Sequence, residues 1–177
     1  MPLKLKKLGR EELWNYALRL LAQRPYSSAE LKTKLSRRSD SASVIAETLT
    51  KLREYGIADD EKFSEAFASS RLQNDGFGRS RVLRDLRAKR VPRHIAEMAV
   101  EKTFAKTEEH ELAAQFLERK YRNKNLGELL QDQKKFAAAY RRLRVAGFSG
   151  AVSLSILKQH AAETAEWIEP EPDEDEA

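Results

Sequence analysis

The sequence predicts an all-α protein built as tandem repeats of three-helix units in an elongated, curved array. Apolar residues recur at helical period along most of the 177 residues. No stretch alternates apolar and polar residues long enough to form a strand, and the seven Gly and five Pro fall between the periodic segments rather than inside them.

A first helix is predicted from about Arg10 to Arg24, where Leu13, Tyr16, Ala17, Leu20 and Leu21 share one face and Pro25 stops it. Ser27 and Glu30 form a capping box for a second helix carrying Leu31 and Leu35. A third helix carries Val44, Ile45, Leu49 and Leu52. It closes at Tyr55-Gly56, where Gly suits a left-handed cap and Ile57 is expected to pack back on the last turn.

The same plan then recurs. Asp59 caps a helix bearing Phe63, Ala66 and Phe67, the turn Asp75-Gly76-Phe77-Gly78 ends it, and a helix with Val82, Leu83 and Leu86 follows. Pro92 opens the next helix, with Ile95, Ala99 and Val100. A third set follows a longer linker pattern: Leu112, Phe116 and Leu117, then Phe136, Tyr140 and Leu143, then Val152, Ile156 and Leu157 after Gly147 to Gly150. Leu35, Leu86 and Leu143 fall in register 51 and 57 residues apart, and six residues after each stands a helix starter, Ser41, Pro92 or Ser149. Internal repetition of this length predicts modules that each contact mainly their neighbours. The expected boundaries are an N-terminal arm at 1–9, repeats at 10–57, 58–105 and 106–168, and an acidic, disordered tail at 169–177.

Charge points to the class of partner. The formal charge of +5 includes six acidic residues after Ile168, so the preceding chain carries +11. Such a body attracts polyanions, whether nucleic acid or an acidic protein surface. No apolar stretch approaches the roughly 20 residues of a membrane span. Met1 to Lys7 holds lysines but no following apolar segment with a cleavage site, so a cytoplasmic protein is expected. The chain has no Cys, which removes disulfides, thiolate nucleophiles and Cys-based zinc sites.

Catalysis has no candidate constellation. Gly76-Phe77-Gly78 follows no strand and reads as a turn, and Gly147-Phe148-Ser149-Gly150 is not a nucleophile elbow. His94, His110 and His160 stand alone, and Asp59-Asp60-Glu61 sits where a helix begins, so capping explains it. No enzyme activity, cofactor or metal is expected.

The candidate functional residues are basic helix faces. Arg81, Arg84 and Arg87 lie opposite Val82, Leu83 and Leu86, and Arg79, Lys89, Arg90 and Arg93 extend the charge. Lys134, Lys135, Arg141, Arg142 and Arg144 lie away from Phe136, Tyr140 and Leu143 in the corresponding helix of the third set. Two such helices favour contact with a polyanion or an acidic protein.

The run Ala17-Leu18-Arg19-Leu20-Leu21-Ala22, then Arg24-Pro25-Tyr26-Ser27, Glu30-Leu31 and Leu35, resembles the opening signature of the RecX family of recombination regulators. Leu52 to Phe63, then Arg71, Gly76 and Gly78, then Leu86-Arg87-Ala88-Lys89, is similar to that family's central block; the likeness covers about residues 13 to 160. Family members commonly carry Gly where this chain has Arg90, and the third set matches only in apolar pattern. The resemblance implies a monomeric helical-repeat protein that lies on the RecA recombinase filament on DNA, with Arg71 among the contacting residues. It would lower filament growth, ATPase and strand exchange in homologous recombination, DNA repair and the SOS response. The alternative is a helix-turn-helix-like protein that binds single- or double-stranded DNA directly. Such a protein places base-reading side chains at the start of a recognition helix, where this chain offers Gly78, Arg79 and Ser80.

Overall fold

The structure, a computed structural model, describes residues 7–161; the acidic tail and most of the N-terminal arm lie outside the described residues. These residues form α1 (Arg10–Gln23), α2 (Ser28–Ser36), α3 (Ala42–Glu54), α4 (Asp60–Ser70), α5 (Arg79–Ala88), α6 (Arg93–Phe104), α7 (Glu109–Lys120), α8 (Leu126–Leu130), α9 (Gln133–Ala146) and α10 (Gly150–His160). A π-helical turn, Arg71–Asp75, follows α4, and the described residues contain no strand. None of the helices is long and apolar enough to cross a membrane.

The chain divides into two compact units. One comprises the chain to Arg71 together with Val82–Ala105, and the other Leu72–Arg81 together with the chain from Lys106 onward.

In the first unit, α1, α2 and α3 close around Leu13, Ala17, Leu31, Leu35 and Leu52, all fully buried. α4 and α6 pack together through Phe63, Ala68, Ala96, Ala99, Val100 and Phe104. Helix starts follow local chemistry. Ser27 accepts a hydrogen bond from the Glu30 amide while Glu30 accepts one from the Ser27 amide, the predicted capping box. Asp59 Oδ1 accepts from the amides of Glu61 at 2.9 Å and Lys62 at 3.1 Å. Asp60 caps a different helix, accepting from the Ser28 amide at 2.8 Å. Asp59 and Asp60 of the carboxylate run thus serve helix ends.

Leu35, Leu86 and Leu143 are all fully buried, and Ser41, Pro92 and Ser149 each stand at an N-cap. Pro92 lies one position before the first helical turn rather than inside it, its carbonyl accepting from the Ala96 amide at 3.0 Å. The end of α3 also differs from expectation. Gly56 is left-handed, at φ 64°, but Ile57 stays 42% exposed and Ala58 packs inward instead, the amides of both bonding the Leu52 carbonyl.

In the second unit, α7, α9 and α10 bury Phe116, Leu117, Phe136, Leu143, Ile156 and Leu157. The stretch read as a linker contains α8, capped by Asn125 and burying Leu130. Five residues are too few to show a helical period. Phe116 meets Phe148 edge-on at 5.6 Å and Phe77 at 6.5 Å.

Arg90 is the one non-Gly residue with positive φ among those described, at 56°. It ends α5 as Gly147, at φ 96°, ends α9: both lie four residues beyond a register leucine. The Val91 amide bonds the Leu86 carbonyl at 3.2 Å, the wrap of a left-handed cap. A Cβ in this conformation costs about 1 kcal/mol. Arg90→Gly should therefore raise stability by roughly 0.5–1 kcal/mol, seen as a higher urea midpoint at unchanged slope.

The Asp59 carboxyl is held below its ordinary value of 3.8, chiefly by the Lys62 amide. A depressed folded pKa contributes stability above 3.8 that is lost as pH falls through the lower folded value. Asp59→Asn keeps a capping oxygen and loses this dependence. The urea midpoint of the wild type should accordingly fall more steeply than that of the variant on acidification below about pH 4.

Candidate partner interface

The predicted basic residues divide between the two units. In the first, Arg84 and Arg87 on α5 are exposed, as are Arg90 and Arg93 just beyond it. Glu97 on α6 bridges two of them, accepting from Arg93 Nε at 2.6 Å and lying 3.8 Å from Arg87 Nη2. This contact raises the Arg93 pKa, so its guanidinium stays charged. The group is a positive edge with one acid inside it, a detail hidden in the sequence because Glu97 lies on the next helix.

Arg71 and Lys89 are built inward. Arg71 stacks over the Phe67 ring at 4.9 Å, with Nε 3.8 Å from Asp85. Lys89 is 23% exposed, pairs with Glu30 at 3.1 Å, and stands over the rings of Phe63 and Phe67 at 5.8 and 5.3 Å. Its backbone carbonyl accepts the buried Ser27 hydroxyl at 2.7 Å. Lys89 thus joins α2 to the end of α5, whatever else it does.

In the second unit, Arg79, Lys134, Lys135 and Arg141 are exposed. Arg142 donates to the Tyr121 hydroxyl at 2.9 Å, and Arg144 to the Phe148 carbonyl at 3.0 Å. Arg81 is half-buried, over the Phe77 ring at 5.1 Å, with Nη1 3.4 Å from the Val145 carbonyl. A Cβ added at Gly147 would lie 2.3 Å from the Arg81 amide, so the backbones touch there. Arg81, Arg84 and Arg87 share a helix, yet Arg81 is a packing residue while the other two face solvent.

A further basic group was missed. Arg119, Arg122, Lys124 and His160 line a depression of 420 Å³ beside Tyr121, with Glu118 as its acid. Its sequence signal is the run Arg119-Lys120-Tyr121-Arg122-Asn123-Lys124. Arg119 also donates to the Asn74 and Asp75 carbonyls at 3.4 and 3.1 Å.

These helices and basic edges make an all-helical protein of tandem three-helix domains with positive charge on its surface. Two family models match the chain: the first three-helix domain of RecX over residues 14–60, and the second over residues 59–100. The chain belongs to the RecX family. It is 38% identical over 90 residues to the regulatory protein RecX of Mycolicibacterium smegmatis, spanning 51% of this chain and about half of that one, 48%. It is 27% identical to the RecX of Syntrophotalea carbinolica, over 81% of this chain and 92% of the relative. The fold matches the crystal structure of RecX from Lactobacillus salivarius with a TM-score of 0.68 at 19% identity, covering 85% of this chain and 96% of that one.

The geometry separates a structural lysine from surface arginines. Lys89→Gln should cost about 1 kcal/mol of stability by thermal or urea unfolding, since Glu30 loses the nearer of its two cations in a half-buried setting and keeps only Arg24, at 3.8 Å. Its heparin-column retention should change less than that of Arg84→Gln.

Proposed function

We propose that this chain binds a RecA-type recombinase filament on DNA in the cytoplasm and lowers its growth, ATPase and strand exchange, acting by occupancy rather than by catalysis. The observation that carries the reading is the set of exposed cations on the middle helices, Arg84 and Arg87 on α5 and Lys134, Lys135 and Arg141 on α9, within a RecX-family fold. Filament phosphates or acidic protein side chains are the groups such faces attract. Arg90, Arg93 and Arg79 extend them.

The test uses Arg84→Glu combined with Arg87→Glu. Both residues are exposed, so helical content should be unchanged, and Arg81 is left in place because it is packed. Reversal should weaken filament binding by more than the roughly 0.2–1 kcal/mol of one exposed pair, because two attractions become repulsions. Wild type and variant are titrated against preformed filaments and naked DNA at several salt concentrations. If the lost contacts are phosphates, the slope of log K against log salt drops by about one unit per contact; protein contacts lower it less. Tighter binding to naked DNA than to filaments would favour the direct DNA-binding reading. A folded variant that inhibits filament ATPase like wild type would overturn the role of this face.

A further inference from the structure

The basic depression of the second unit, 420 Å³ in volume, is held in shape by its own contacts. Tyr121 forms a wall, 8% exposed, its hydroxyl accepting from Arg142 at 2.9 Å. The Lys124 amide bonds the Tyr121 carbonyl at 2.8 Å, which fixes the turn that carries Arg122 and Lys124. Arg119 donates to the Asn74 and Asp75 backbone carbonyls, dipoles without net charge, so its positive charge is not cancelled. Arg122 and Lys124 are exposed, and neither forms an ion pair with a carboxylate among the described residues. Glu118 is the one acid on the border. The balance leaves the depression positive and open to an acidic occupant.

The chain itself supplies one. α10 ends at the depression, because its last residue, His160, lines it. Residues 162–177 follow, beyond the described residues, with eight carboxylates and no Lys or Arg; six of the eight fall in 169–176. Ala161 and Glu169 are eight residues apart. That tether spans at most roughly 29 Å, and it starts beside the depression, so the acidic run can return to it. A short tether also sets an effective concentration on the order of millimolar, so exposed charge pairs too weak to hold a separate peptide suffice for a tethered one.

We propose that the acidic run 169–176 docks on the Arg119, Arg122 and Lys124 depression of its own chain. The choice of this depression over the exposed arginines of α5 rests on where the segment departs. The contact covers the depression in the free chain, and any other polyanion must displace the run to reach those cations. The proposal is separate from the filament reading, because its test contains this chain alone.

The test uses the fluorescence of Trp167, two residues before the run, in a full chain whose other tryptophan is replaced by Trp14→Phe. This parent chain is quenched with acrylamide at low micromolar concentration, and circular dichroism checks the folding of each variant. With the run docked, Trp167 should be at least about twofold less accessible than in the same chain at about 1 M salt, where charges are screened beyond about 3 Å. Arg122→Glu combined with Lys124→Glu should abolish this protection, and adding Glu171→Lys and Glu174→Lys should restore it. Arg84→Glu combined with Arg87→Glu changes the net charge equally, on the first unit, and should leave the protection intact. Protection that is absent or independent of salt in the parent chain, that survives reversal of Arg122 and Lys124, or that is lost on reversal of Arg84 and Arg87 would overturn the proposal. So would a charge swap that restores nothing, or protection that grows with protein concentration, which would assign the run to a second copy.

Discussion

One buried hydroxyl holds two helix ends together. Ser27 Oγ, fully inaccessible to solvent, accepts from the Glu30 amide at the start of α2 and donates to the Lys89 carbonyl at the end of α5. Around it the Lys89 ammonium meets Glu30, and the Asp60 carboxylate meets the Ser28 amide. Helix ends carry unsatisfied backbone groups, and here side chains of one three-helix domain satisfy backbone groups of the other. Each net gain is only about 1 kcal/mol, but a buried group left alone costs more, so the elements must arrive in this arrangement or not at all. The same device recurs in the second unit, where Glu109 of α7 accepts from both the amide and the hydroxyl of Ser149 at the start of α10.

What the sequence reveals follows from how far apart the interacting groups lie. Capping at Ser27, Ser41, Asp59 and Ser149 is settled within three residues, and all four are readable from residue type and position. The register of Leu35, Leu86 and Leu143 is readable because burial repeats with the motif. The joint between Ser27 and Lys89 spans 62 positions, and no local pattern announces it. The same limit governs the candidate site. A helical wheel places Arg81 with Arg84 and Arg87, but Arg81 stands over Phe77 of the preceding turn and reaches the Val145 carbonyl, 64 residues away near the end of α9, and Glu97 bridges Arg87 to Arg93 across a turn. Cations are visible in a sequence; their partners are not.

Arg90 illustrates a compromise between backbone and surface. The position demands a left-handed turn, which Gly147 supplies freely at the matching place on α9, yet here it carries a guanidinium toward solvent. Charge at this corner is retained against a backbone preference.

The order of the units along the chain sets a timing problem. Synthesis delivers Leu72–Arg81 before Val82–Ala105, yet the earlier segment belongs with helices made later. The first unit has all its residues once Ala105 has emerged. Gly78, whose amide bonds the Ala146 carbonyl, and Phe77, which packs against Phe116, must wait. At about 5–20 residues per second, the 68 residues separating Gly78 from Ala146 take roughly 3–14 s to synthesise. Through that interval a nascent chain holds every residue of its first unit while Phe77 and Gly78, in the segment that interrupts that unit's sequence, still lack the partners they will have in the second.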